Sequence, residues 1–110
     1  MERIKNNLDL LKKLSNCNKS QRKYILQKGK KEFIFSICEC VLNFINGNIK
    51  TDDETFEKLK KYKSTLRKLL EKSSLKKKKE LLVQKGGFLQ ILLPSLITGI
   101  SALIENLVKK

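Results

Sequence analysis

The sequence predicts an all-α protein: a small helical bundle of about four helices, then a basic helix, then a C-terminal apolar amphipathic helix. Three observations lead there. Apolar residues recur at three- and four-residue spacing over most of the chain, and no stretch alternates residue by residue. One proline among 110 residues leaves few places where a helix must stop. The apolar segments are bounded by residues that start or end helices: Ser20, Asn46-Gly47-Asn48, Thr51-Asp52, Ser73-Ser74 and Gly86-Gly87.

Each element has its own justification. In the first helix, about Glu2 to Ser15, Ile4, Leu8, Leu11 and Leu14 form one stripe, and Asn16-Cys17-Asn18 breaks it. Ser20 is a good N-cap for a second helix that carries Tyr24, Ile25 and Leu26 and ends at Lys28-Gly29-Lys30. The third, about Lys31 to Asn46, is the most apolar of the first half. Phe33, Ile34, Ile37, Cys38, Val41, Leu42 and Ile45 follow its stripe, which marks a central helix covered on most sides. Gly47 stands where a C-terminal cap glycine belongs. The fourth starts at Thr51 or Asp52, with Asp52, Asp53 and Glu54 matched to the dipole of its first turn. Its buried face is Phe56, Leu59, Leu66, Leu69 and Leu70, with Tyr62 at the edge. Residues 1–72 make this N-terminal unit, residues 73–87 a basic helix ending in the double glycine, and residues 88–110 the hydrophobic helix.

Composition narrows function more than fold. A net charge of +14 and a pI near 9.9 favour polyanions, either nucleic acid or an anionic membrane face. The chain has no histidine, which removes Ser-His-Asp triads, Cys-His dyads and imidazole metal ligands; no enzyme activity and no cofactor is expected. Cys17, Cys38 and Cys40 are odd in number, and the first fourteen residues lack the apolar region of a secretory leader. A reducing compartment and buried, unpaired thiols are expected, with no metal site.

The charge is concentrated. Between residues 58 and 85 stand Lys58, Lys60, Lys61, Lys63, Arg67, Lys68, Lys72, Lys76, Lys77, Lys78, Lys79 and Lys85, opposed by Glu71 and Glu80. Twelve against two leaves +10 of the total +14 in this quarter of the chain. A merely solvated face interleaves both signs, so polyanion binding is the stronger reading. Lysine in preference to arginine suits point contacts to phosphates rather than bidentate reading of bases. Such contacts give affinity without sequence specificity. Tyr24 and Tyr62 are each open to two roles, stacking on bases or packing at the edge of the core.

The tail from Phe88 to Val108 has the length to span a bilayer, roughly 31 Å as a straight helix. Gln90, Pro94, Thr98, Ser101 and Glu105 form a narrow polar stripe on it, and Pro94 is expected to kink the helix or start a new one. Three destinations are open: the apolar face of the domain, a membrane interface, or a partner protein or second copy. The residues available for membrane or partner contact are Phe88, Leu89, Leu92, Leu93, Leu96, Ile97, Ile100, Leu103, Ile104 and Leu107.

Two stretches carry a resemblance. Leu75 to Pro94, LKKKKELLVQKGGFLQILLP, and Ile37 to Ile49, ICECVLNFINGNI, resemble the small basic virion protein of Polinton (Maverick) elements and adintoviruses. Over the basic, double-glycine and apolar junction the chain is also similar to the adenovirus core protein X precursor, with lysine here in place of an arginine-rich tract. The resemblance implies a non-enzymatic minor virion protein that binds and condenses viral or transposon double-stranded DNA. It also implies processing at Gly86-Gly87 by a viral cysteine protease that favours Met, Ile or Leu where this chain has Gln84; a hinge or helix cap is the other reading of the two glycines. The implied locations are the virion and, during assembly, the host nucleus or cytoplasm. The implied partners are DNA and capsid proteins. A membrane-active virion protein and a linker between capsid and core are the alternative functions.

Overall fold

Helices form where the apolar stripes run, and local competition for backbone hydrogen bonds decides where they break. A computed structural model describes residues 2–48 and 51–108, with side chains described as far as residue 99. The helices are α1 (Glu2–Asn6), α2 (Leu8–Asn16), α3 (Lys19–Lys28), α4 (Lys31–Ile45), α5 (Asp53–Lys60), α6 (Lys63–Leu70), α7 (Leu75–Lys85) and α8 (Leu89–Val108). A 3-10 turn, Gly86–Phe88, joins the last two, and the described residues contain no strand.

The all-α class therefore holds, but the count of about four helices ahead of the basic one is corrected to six. The first expected helix is split at Asn7. Its side-chain amide donates to Arg3 O at 2.8 Å and its own N–H turns back to Ile4 O, so the backbone leaves helical geometry for one residue. The fourth is split at Lys61-Tyr62, where Tyr62 adopts φ −102° and ψ 11°. That break sets the Tyr62 ring against Phe88, with centroids 6.1 Å apart. Of the kink or new start expected at Pro94, the new start is absent: α8 runs through it, with Pro94 exposed.

Caps follow side-chain chemistry. Asn18, not Ser20, caps α3: its carbonyl oxygen accepts from Gln21 N at 2.8 Å and Gln21 Oε1 accepts from Asn18 N at 3.0 Å, a reciprocal capping box. Asp52 caps α5 through Thr55 N at 2.6 Å; hydrogen bonds from Thr55 hold its carboxyl below the usual carboxylate range. Ser74 caps α7 through Lys77 N. Gly47 ends α4 at φ +71°, a backbone that L-residues with side chains rarely adopt. Between α3 and α4, a Cβ on Gly29 would lie 2.8 Å from Phe33 Cδ2, so the tight passage there needs a residue without a side chain.

The core is built on α4. Phe33, Ile34, Ile37, Cys40 and Val41 are buried on it, while Leu42 and Ile45, expected on the same stripe, are 44% and 46% exposed. The inward face is thus turned toward Ser36 and Cys40. Ser36 satisfies its hydroxyl by donating to Phe33 O one turn back. Phe56 is likewise corrected from core to surface, where it meets Phe44. Helix α1 packs on α4, α6 on α4 and α7, α3 on α7, and α2 and α5 on α8.

Helix α8 closes the core. Phe88, Leu89, Leu92, Leu93 and Leu96 have no exposed surface. Of the three destinations open to these five, membrane and partner contact give way to the apolar face of the domain: they cover the N-terminal unit, because α2 offers Leu11 and Leu14 as a complementary apolar face. Ile97 is half-buried against the same cluster. The side chains of Ile100, Leu103, Ile104 and Leu107 lie outside the described residues. The Cα radius of gyration is 13.3 Å, the value of a single compact domain of this length, about 13 Å.

Candidate polyanion interface

Burying the leucines of α5, α6 and α7 fixes where their lysines go. On α6, Leu66 and Leu69 point inward, and Lys63, Arg67 and Lys68 are exposed. Lys58, Lys60 and Lys61 on and after α5, Lys72 before α7, and Lys85 at its end are exposed as well. Lys58 pairs with Glu54 at 3.1 Å and Lys60 with Glu57 at 3.0 Å, both along α5. The remaining ion pairs among the described residues are those of Arg3 with Glu32 and Glu39. Lys63, Arg67, Lys68, Lys72, Lys76 and Lys77 take part in none of them.

The four-lysine run does not behave as one exposed block. Lys76 and Lys77 are exposed in the first turn of α7. Lys78 is 8% exposed, and its ammonium donates to Leu69 O at 2.6 Å and Glu71 O at 2.8 Å. It caps the C-terminus of α6, satisfying carbonyls that the helix leaves without partners and meeting the negative end of its dipole. Lys79, half-buried, reaches Gln27 O of α3 at 3.3 Å. Lys78 is therefore corrected from a DNA-contacting residue to a structural one. The signal was present in the sequence: Leu75, Lys78 and Leu82 are three and four residues apart, so position 78 shares the inward face of α7.

A second helix joins the basic surface. Helix α3 packs on α7, and from Lys19 to Lys31 the chain carries Lys19, Arg22, Lys23, Lys28, Lys30 and Lys31 without one acid. Reading charge only as the densest run overlooked this segment. Its lack of acids is the sign that would have found it.

Gly86-Gly87 lies inside the turn between α7 and α8. Gly86 is buried, with Leu89, Arg22 and Leu26 closest to where its Cβ would be, and Gly87 approaches the Tyr62 hydroxyl. A protease that reads an extended chain has to open this turn first. Just beyond it, Gln90 ties the tail to α2: its amide nitrogen donates to Leu14 O at 2.8 Å and Cys17 O at 3.3 Å, and its oxygen accepts from Arg22.

The three thiols are free. Burial raises the pKa of Cys38, and burial followed by the Glu39 charge pushes Cys40 up to about 12, so both are thiols at neutral pH. No group of three or more His, Cys, Asp or Glu side chains among the described residues is placed to hold a metal ion. What the surface offers is fixed positive charge on rigid helices. Compared with known proteins, the chain matches no family model, no curated protein and no solved structure.

Proposed function

We propose that this protein binds double-stranded DNA independently of sequence, without catalysis, as a minor DNA-condensing component of a virion. The carrying observation is the set of exposed cations on α6 and the start of α7, namely Lys63, Arg67, Lys68, Lys72, Lys76 and Lys77, outside the described ion pairs. Cations left unneutralised on neighbouring helices repel one another, and a polyanion relieves that repulsion while releasing its own counterions. Lys76 and Lys77 also sit at the positive end of the α7 dipole, where phosphate is favoured and lysine alone is not. The virion setting, the capsid partners and assembly in the nucleus or cytoplasm rest on the resemblance to the Polinton and adintovirus proteins. A membrane-inserted tail would have to withdraw Phe88, Leu89, Leu92, Leu93 and Leu96 from the core.

Gel shifts on unrelated duplexes test the reading. With six to ten phosphates neutralised, affinity falls on the order of 10³- to 10⁵-fold between about 50 and 200 mM salt, equally for each duplex. Changing the six exposed cations to glutamine flattens that slope and leaves the helical circular dichroism intact. A salt-independent affinity, or a strong preference for one duplex, contradicts the proposal.

A further inference from the structure

The basic surface has an aromatic residue that the core does not use. Tyr24 is 63% exposed, the most exposed large apolar side chain among the described residues, whereas Tyr62 packs against Phe88. Tyr24 and Ile25 form the wall shared by two open clefts of about 690 and 480 Å³, one toward the C-terminal end of α2 and one toward the α3–α4 passage. Lys12 and Lys13 line the first cleft, and Lys28 and Lys30 the second. The one acid lining either cleft is Glu32, which is already paired with Arg3 at 2.9 Å. Asn16, Ser20 and Gln21 add neutral polar groups to the lining of the first.

We infer that Tyr24 is a stacking platform for an unpaired base, and that the clefts on either side of it hold single-stranded nucleic acid. A base has an apolar face and is followed by a phosphate at each end, so its binding site needs a ring open on one side with cations to both flanks. Stacking on an aromatic ring tolerates every base, in keeping with a surface that lacks a base-reading pattern. An apolar peptide would also cover the ring, but four lysines around it select an anionic ligand. This inference rests on the proposed phosphate-binding role and extends it from duplex DNA to exposed single strands.

The two tyrosines are the chain's strongest fluorophores, since it has no tryptophan, and Tyr62 is half-buried against Phe88. The test titrates the full chain with an oligodeoxythymidylate of about twelve nucleotides, with an abasic oligomer of equal length, and with a duplex. Tyrosine emission is expected to be quenched by the thymidylate and not by the abasic chain. Tyr24→Ala is expected to lose that quenching and to bind the thymidylate on the order of 5- to 150-fold more weakly, with duplex affinity unchanged; Tyr24→Phe keeps the affinity. Circular dichroism confirms that both variants are folded. Duplex binding with no quenching, or a Tyr24→Ala loss that is equal for the abasic oligomer, overturns the stacking role. Quenching by an acidic apolar peptide but not by thymidylate overturns it too and assigns the clefts to a protein partner. Failure to bind duplex, thymidylate and abasic oligomer alike overturns the phosphate-binding role first, and the stacking role with it.

Discussion

Lys78 shows how one side chain in a uniform run acquires a separate job. Four successive residues point roughly 100° apart around a helix, so a four-lysine run cannot be exposed throughout if the helix packs at all. The inward lysine costs desolvation, which two short bonds to Leu69 O and Glu71 O offset. Hydrogen bonds to charged groups contribute about 1.5–3 kcal/mol. Lys78→Gln is therefore expected to lower unfolding free energy by about 2–3 kcal/mol in urea titrations. Lys76→Gln and Lys77→Gln are expected to stay within about 0.5 kcal/mol of the parent, since both are exposed. The DNA effects run in the opposite sense: each of the two exposed substitutions reduces the salt slope by about 0.9 if its lysine meets a phosphate, and folded Lys78→Gln leaves the slope unchanged. Equal stability of all three variants would show that the Lys78 contacts contribute nothing.

At the scale of elements, most caps were legible, Ser20 excepted, and the breaks at Asn7 and Tyr62 were not. Gly47, Asp52 and Ser74 have side chains, or the lack of one, that favour helix ends, and each is found there. Asn7 and Tyr62 interrupt stretches whose apolar spacing is continuous. At one, the residue's own amide bonds Arg3 O; at the other, the break sets a ring beside Phe88, twenty-six positions onward. A periodic pattern has no register of such competitors. The same holds for Gln90, which in the sequence is one member of a polar stripe. In the structure it joins α8 to the end of α2, where Leu14 O and Cys17 O need donors. Gln90→Leu keeps the volume and removes the donor. It is expected to destabilise the fold by about 1–3 kcal/mol, the penalty for half-buried carbonyls and the Arg22 guanidinium left short of a partner. Chemical denaturation measures it. Hydrogen exchange should quicken first around residues 14–18, and uniform quickening instead would place the bond outside the α2–α8 junction.

The tail's destination belongs to the whole molecule, because a leucine face is equally suited to lipid, to a partner and to a core. Only the presence of Leu11, Leu14 and the α4 face decides among them, and their position depends on the complete packing. The energetic consequence is large. Truncating a buried leucine costs about 2–5 kcal/mol, so the five fully buried side chains from Phe88 to Leu96 together contribute on the order of 10 kcal/mol. That matches the entire stability of an ordinary domain, about 5–15 kcal/mol. A chain of residues 1–87 is therefore expected to lose its cooperative thermal transition and to bind a hydrophobic dye, while the full chain melts in one step. The same packing governs the double glycine. With Gly86 buried in the turn, a non-specific protease at low concentration is expected to leave the Gly86-Gly87 bond of the folded chain intact. Cutting should begin only under conditions that unfold the whole core, at a rate that tracks global stability across the Lys78 and Gln90 variants. A truncated chain that melts like the parent would show that the tail is dispensable to the fold. Rapid native cleavage at Gly86-Gly87 would show that the turn opens on its own, which is what processing of a folded precursor requires.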